Sequence, residues 1–191
     1  LPEIDKIYEA GFLLGKTSDT QDITGKFLSE KSVLGIDKEK IENVLNSFRG
    51  DIMQIPPMYS AVSVNGHRLY ELARKGIEIE REPRPITVYK FELLSYDEKT
   101  GEGQFLISCS KGTYIRTLIN DVGEALGCGG IMTSLRRTMA AGFEISECVT
   151  FEDLQKTQDF SKYVLPIEKV FDVLPKIMLS EKQAEMYKNG R

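Results

Sequence analysis

The 191-residue chain has one histidine and three cysteines. Cys109, Cys128 and Cys148 are odd in number and lack metal-ligand spacing, so neither a structural zinc site nor a disulfide framework is expected. A reducing, cytoplasmic setting is the corresponding expectation. Long apolar runs are missing too. No stretch approaches the roughly 20 residues that span a bilayer, and no charged-then-apolar signal segment opens the chain. There is no internal repeat and no low-complexity tract. Basic excess is also lacking: 25 Lys and Arg face 29 Asp and Glu, a formal net charge of -4. That argues against a histone-like polyanion binder. It leaves room for a local basic groove, since Lys111, Arg116, Arg136 and Arg137 outnumber Asp121 and Glu124 in their segment.

What is present suits one well-buried core. Hydrophobic residues make up 41% and charged residues 28%, a globular composition. The most informative stretch is Ser108–Leu118. Phe105, Leu106 and Ile107 before it have strand character. Ile115, Leu118, Ile119, Val122 and Leu126 after it fall at helical spacing. Thr113 is read as the N-cap of that helix and Gly127 as its C′ residue. Tyr114 and Arg116 then lie at the start of the helix. An arginine there opposes the helix dipole, so an anionic partner is one reading and a plain surface residue the other.

The remaining elements follow from local signals. Residues 4–14 alternate as a strand, with Tyr8, Ala10, Phe12 and Leu14 on one face. Residues 15–25 are polar and turn-forming, and Asp19 and Asp22 there read as loop-capping or as functional carboxylates. Asp37 caps a helix stapled by Ile36 and Ile41, with Gly50 as its stop. Pro56 and Pro57 force an extended course. Asn65-Gly66 marks a two-residue hairpin turn, and residues 69–75 a short helix. His67 reads as a surface turn residue without a visible catalytic partner. Residues 86–96 and 104–109 form an antiparallel pair. The glycine-rich stretch 127–130 lacks the spacing of a phosphate loop. Thr150 caps another short helix, and Ser180 opens one with a capping box at Gln183.

Several blocks taken in order resemble the bacterial TruB-type tRNA pseudouridine synthases. These are Lys6-Ile7-Tyr8, the loop from Leu14-Gly15 through Gly25, the block from Phe48 to Ala61, and Gly66 to Gly76 followed by Arg84-Pro85. Ser110 to Arg116 matches the family signature, and Leu135-Arg136-Arg137 closes the set. In the second block Ser18 replaces the family's first threonine.

The resemblance implies an α+β fold, with a mixed, mostly antiparallel sheet flanked by helices. It implies isomerisation of uridine 55 in the tRNA T-loop to pseudouridine by base flipping, without metal or organic cofactor. Tyr114 and Arg116 are the implied catalytic residues: Tyr114 for proton handling at C5, Arg116 for holding the catalytic carboxylate. Tyr8 would pack on the flipped uracil, Asp22 hydrogen-bond the nucleotide and Leu135 wall the pocket. Lys111 is grouped with these substrate-binding residues. The partner is tRNA, with no membrane, and the protein is read as a monomer.

The family's nucleophilic aspartate sits in a Gly-x-Leu-Asp-x-x-Ala-x-Gly motif that is not among these residues. Residues 1–173 therefore read as a partial catalytic domain, inactive alone. Residues 174–191 read as a connector and the start of a small RNA-binding domain of the PUA type. The alternative reading is a non-catalytic tRNA-binding module of the same fold. A guide-RNA-dependent relative fits less well, because the blocks are those of stand-alone bacterial enzymes.

Overall fold

The computed structural model describes residues 5–171 and 174–190. Ile4, where the sequence reading opens the first strand, residue 173, where it ends the catalytic domain, and Arg191 lie outside them. Contacts divide the chain into a large unit, Glu3–Cys148, and a small one that includes Val149–Arg191. This is a spatial division, separate from the functional boundary read at 173/174.

In the large unit, β1 (Lys6–Leu14) leads into a short hairpin of β2 (Lys16–Ser18) and β3 (Phe27–Glu30). Next come α1 (Lys38–Leu45), a 3-10 turn at Asn46–Phe48 and β4 (Gly50–Gln54). A small hairpin, β5 (Ser63–Val64) and β6 (His67–Arg68), precedes α2 (Leu69–Arg74). Then follow β7 (Arg84–Tyr96), β8 (Glu102–Cys109), α3 (Ile115–Ala125), β9 (Gly130–Ala140) and β10 (Phe143–Glu144). Six strands form one sheet in the order β10-β9-β1-β8-β7-β4, with every ladder antiparallel. Parallel pairing is confined, among the described residues, to an isolated bridge between Asp22 and Met132. The α+β class expected from the sequence is the class observed.

The period-two pattern of β1 decides which face is buried. Ala10, Phe12 and Leu14 are buried, and α3 packs on β1 and β9 while α1 packs on β7. Phe105 stacks on Phe12 with ring centroids 4.0 Å apart and meets Phe91 edge-on at 4.9 Å. These aromatics bury large apolar areas and gain from their relative orientation. Asp37 caps α1 by accepting from the Lys40 N–H at 2.8 Å, and Ile36 and Ile41 are both buried. Asn65 and Gly66 both have positive φ, as a two-residue hairpin turn of this kind requires.

Three elements depart from the sequence reading. Residues 15–25 contain β2 and lead directly to β3, which lack enough alternating apolar residues to be seen. Gly50 is more than a helix stop: it opens β4, an edge strand paired with β7. Thr113 is not the N-cap of α3. Tyr114 holds that position in extended backbone, and the Thr113 hydroxyl instead donates to the Ser110 carbonyl at 2.9 Å. Gly127 does follow the helix with φ +81°.

The small unit holds α4 (Phe151–Lys156), 3-10 turns at Ser161–Tyr163 and Ile167–Phe171, and α5 (Glu181–Lys188). Thr150 and Ser180 cap α4 and α5 in reciprocal boxes with Asp153 and Gln183.

Gly123, in the last turn of α3, explains the glycine run that follows the helix. A Cβ at position 123 would stand 2.2 Å from the Gly130 nitrogen and 2.3 Å from the Gly129 carbonyl carbon. Both are backbone atoms that cannot swing aside. Intrinsic propensity favours alanine over glycine in a helix by about 1 kcal/mol. Gly123→Ala is nonetheless expected to destabilise the protein, by about 1–3 kcal/mol, as overpacked sites do. Urea unfolding midpoints of the two proteins check this.

Candidate functional site

The start of α3 is fixed by side chains from distant strands. Gln54, at the end of β4, is 3% exposed. Its Oε1 accepts from the Tyr114 backbone N–H at 2.9 Å, and its Nε2 donates to the Tyr114 carbonyl at 3.1 Å. One amide thus satisfies both backbone groups of one residue, as a neighbouring strand would. The Tyr114 carbonyl also receives the Thr117 and Leu118 N–H groups. The preceding turn is tied to β7, where Ser110 exchanges two bonds with Thr87, each 2.9 Å.

Arg116 projects from this first turn. Its Nη1 lies 3.4 Å from Asp22 Oδ2, and its Nη2 donates to the Tyr59 carbonyl. The helix dipole disfavours a cation here, and Asp22 supplies the compensating charge. Asp22 Oδ1 accepts from the Thr24 N–H at 2.9 Å, the Thr24 hydroxyl at 2.5 Å and the Thr20 hydroxyl at 3.0 Å. Burial pushes the Asp22 carboxyl upward. The bonds from Thr24 and Thr20 and the Arg116 charge outweigh it, so the group is held below the usual carboxylate value. Asp19, by contrast, ties its own loop by accepting from the Lys26 N–H at 2.8 Å.

The other residues singled out by sequence stand near the same end of the sheet. Tyr8 pairs with Ile107 on β8 and with Arg137 on β9. Leu135 pairs with Ala10, so register gives it the same sheet face as Tyr8 and Arg137. Leu135 is 45% exposed, a large apolar side chain left open to solvent. Burial pushes the Tyr8 phenol up, with Arg137 pulling the other way. Lys111 is exposed in the turn ahead of α3. Asp22 and Arg116 are thus in direct contact, while Tyr8 and Leu135 are brought close through strand register. A cleft of about 550 Å³ has Ser18, Gln21, Tyr59, Arg81 and Asn120 among its walls. Tyr8, Tyr114 and Leu135 do not line it.

Sequence reasoning missed four contributors: Gln54, the Tyr59 carbonyl, Gln21 and Thr117. Gln54 and Tyr59 fall in the block from Phe48 to Ala61, so their family setting was a signal. Their bonds run to backbone or from a carbonyl, and residue types alone carry no such signal. Among the described residues no cluster of His, Cys, Asp and Glu could hold a metal ion. No helix there is long and apolar enough to cross a membrane.

The Asp22 shift has a definite pH consequence. Its folded pKa lies below the unfolded one, so its stabilisation is fully present above the unfolded value and is lost as pH falls through the folded value. Asp22→Asn is expected to lower stability near neutral pH and to flatten the acid side of the stability profile. Denaturant unfolding as a function of pH measures both effects.

Comparison with known proteins gives the family. Residues 1–115 match the TruB family pseudouridylate synthase (N terminal domain), and residues 116–172 the tRNA pseudouridylate synthase B C-terminal domain. The tRNA pseudouridine synthase B of Endomicrobium trichonymphae is 47% identical over 163 residues, 85% of this chain and 70% of that protein. That of Clostridium tetani is 43% identical over 185 residues, 97% of this chain and 63% of that protein. That of Bacillus licheniformis is 43% identical over 197 aligned residues, 100% of this chain and 64% of that protein. The chain therefore spans about two thirds of the length of these relatives. A crystal structure of a Cbf5-Nop10-Gar1 complex superposes with a TM-score of 0.68 at 27% identity, covering 98% of this chain and 49% of that one. The chain belongs to the TruB family of pseudouridylate synthases.

Proposed function

We propose that this chain forms the part of a tRNA pseudouridine synthase that receives and orients uridine 55 of the T-loop for conversion to pseudouridine. The observation that carries the reading is the ion pair between Asp22 and Arg116 at the clamped start of α3. In the reaction the C1′–N1 glycosidic bond breaks and the uracil turns in the site. A C1′–C5 bond then forms, C5 loses its proton and N1 gains one. Nothing is added or removed overall, so the demands on the protein are extrusion of the base, orientation and proton handling.

Extrusion costs a few kcal/mol of lost stacking. An aromatic face returns about 1–3 kcal/mol per base. Tyr8, half-buried on β1, supplies that face in this reading. Tyr114 handles the C5 proton, and Leu135 offers an apolar wall on the same sheet face as Tyr8. Lys111, exposed ahead of α3, meets the RNA backbone. Arg116 uses two of its donors on Asp22 and the Tyr59 carbonyl. A guanidinium has five donors in a planar fork, so others can orient a second carboxylate. That carboxylate is the nucleophile expected from the family's upstream motif.

The test is pseudouridine formation in a T-loop stem-loop RNA. The 191-residue chain is assayed beside the same chain joined to the sequence encoded upstream of it. Activity is expected in the extended protein alone. Arg116→Met in that protein should reduce turnover on the order of 10²–10³-fold, the scale lost with one preorganised electrostatic contact. If the extended protein binds the RNA without converting it, the non-catalytic tRNA-binding module is the better account. If the short chain converts the RNA by itself, a carboxylate within it does the chemistry and the proposed division of labour fails.

A further inference from the structure

Arg116 and Thr117 are consecutive on α3, and Gln21 and Asp22 are consecutive in the loop after β2. The two pairs meet residue for residue. Arg116 contacts Asp22, and the Thr117 hydroxyl donates to Gln21 Oε1 at 2.7 Å. We propose that Thr117 and Gln21 are positioning residues that hold the Asp22–Arg116 pair in register.

Three observations carry this. First, Thr117 is 3% exposed, so its hydroxyl is taken out of water and needs a partner. Gln21 is that partner. Second, Gln21 has φ +63°, one of three non-glycine residues in the left-handed region among the described residues. Such a conformation is strained for a residue with a side chain and persists only where its surroundings fix it. Here the Gln21 N–H donates to the Ser18 carbonyl and its own carbonyl receives the Met132 N–H, both at 3.1 Å. Third, the same surroundings hold the next residue. The Ser18 hydroxyl donates to the Asp22 carbonyl at 2.6 Å, and Asp22 forms its bridge with Met132.

The geometry explains why a second point of attachment matters. The Asp22–Arg116 contact is a single 3.4 Å approach between side chains 16% and 21% exposed. A single contact of that length with some solvent access is a weak tether. One such contact leaves the loop free to rock against the helix. Two contacts on adjacent residues fix both separation and rotation. The charged group that acts on Asp22 is Arg116 from α3, and the neutral donors are Thr20 and Thr24 from its own loop.

The value of this register to catalysis rests on the function proposed above, but the register itself can be read without any activity. The Asp22 carboxyl is followed by carbon-detected NMR pH titration in the 191-residue chain, alongside thermal unfolding. Three variants are compared with the parent: Thr117→Val, Gln21→Gly and Thr117→Ser. Thr117→Val and Gln21→Gly remove the contact and are expected to move the Asp22 titration upward, toward an ordinary carboxylate. Thr117→Ser keeps the hydroxyl and should titrate as the parent does. A purely structural role would lower the melting temperature and leave the Asp22 titration in place. That result in a folded Thr117→Val or Gln21→Gly protein overturns the proposal. Should Thr117→Val not fold, Gln21→Gly decides, because glycine adopts this backbone freely. If Gln21→Gly also fails to fold, the pair serves folding rather than positioning, and the proposal is wrong. A lack of isomerase activity would count against the proposed function and leave the titration result standing.

Discussion

The reciprocal amide contact between Gln54 and Tyr114 determines where α3 begins. A helix N-terminus has four backbone N–H groups without intrahelical partners, and the residue before it has no fixed conformation of its own. Thr113 cannot do the capping, because its hydroxyl is turned back to Ser110. Gln54 does part of the work from sixty residues earlier in the chain, and at 3% exposure it leaves little surface at which water could compete. Once Tyr114 is held in extended backbone, Ile115, Leu118, Ile119 and Val122 fall onto the sheet, and Arg116 necessarily faces the loop that carries Asp22.

The far end of the helix is fixed by close approach rather than by hydrogen bonding to side chains. Gly123 lies against the backbone of Gly129 and Gly130, and its carbonyl receives the N–H groups of Cys128 and Gly129. The glycine run, which lacks the spacing of a phosphate loop, lets helix and strand meet. Both ends of α3 are therefore set by β4, β9 and their connections. The direction of Arg116 is a property of the whole sheet, not of its own turn.

Much of this was legible in the sequence wherever the signal was local. Alternation in β1, the Asp37 cap, the Asn65-Gly66 turn, Gly127 after α3, the Thr150 cap and the Ser180 capping box each depend on residues within a few positions of one another. The hairpin of β2 and β3 was hidden because its short strands pair Lys16 with Glu30, Thr17 with Ser29 and Ser18 with Phe27, too few apolar residues to show an alternation. The edge strand β4 was hidden by Gly50, whose positive φ serves a strand entry as well as a helix stop. Thr113 was misjudged because a hydroxyl before a helix looks the same whether it caps forward or folds back. At the candidate site, an anionic partner for Arg116 could be argued from the dipole. That the partner within this chain is Asp22 depends on a contact across 94 residues.

The site is held by short hydrogen bonds as well as by charge. The Asp22–Arg116 pair is partly open to solvent, so its own attraction is small. Around it, Thr20, Thr24, Ser18, Gln21 and Thr117 make a set of short polar contacts. The Ser18 and Thr117 bonds are neutral and contribute about 1 kcal/mol each, while those from Thr20 and Thr24 end on the Asp22 carboxylate and are worth about 1.5–3 kcal/mol each. Together they hold the Asp22 loop independently of the contact with Arg116. A chain with net negative charge can therefore keep an arginine in a fixed direction at the start of α3. The orientation comes from the loop, the helix and the sheet that holds them.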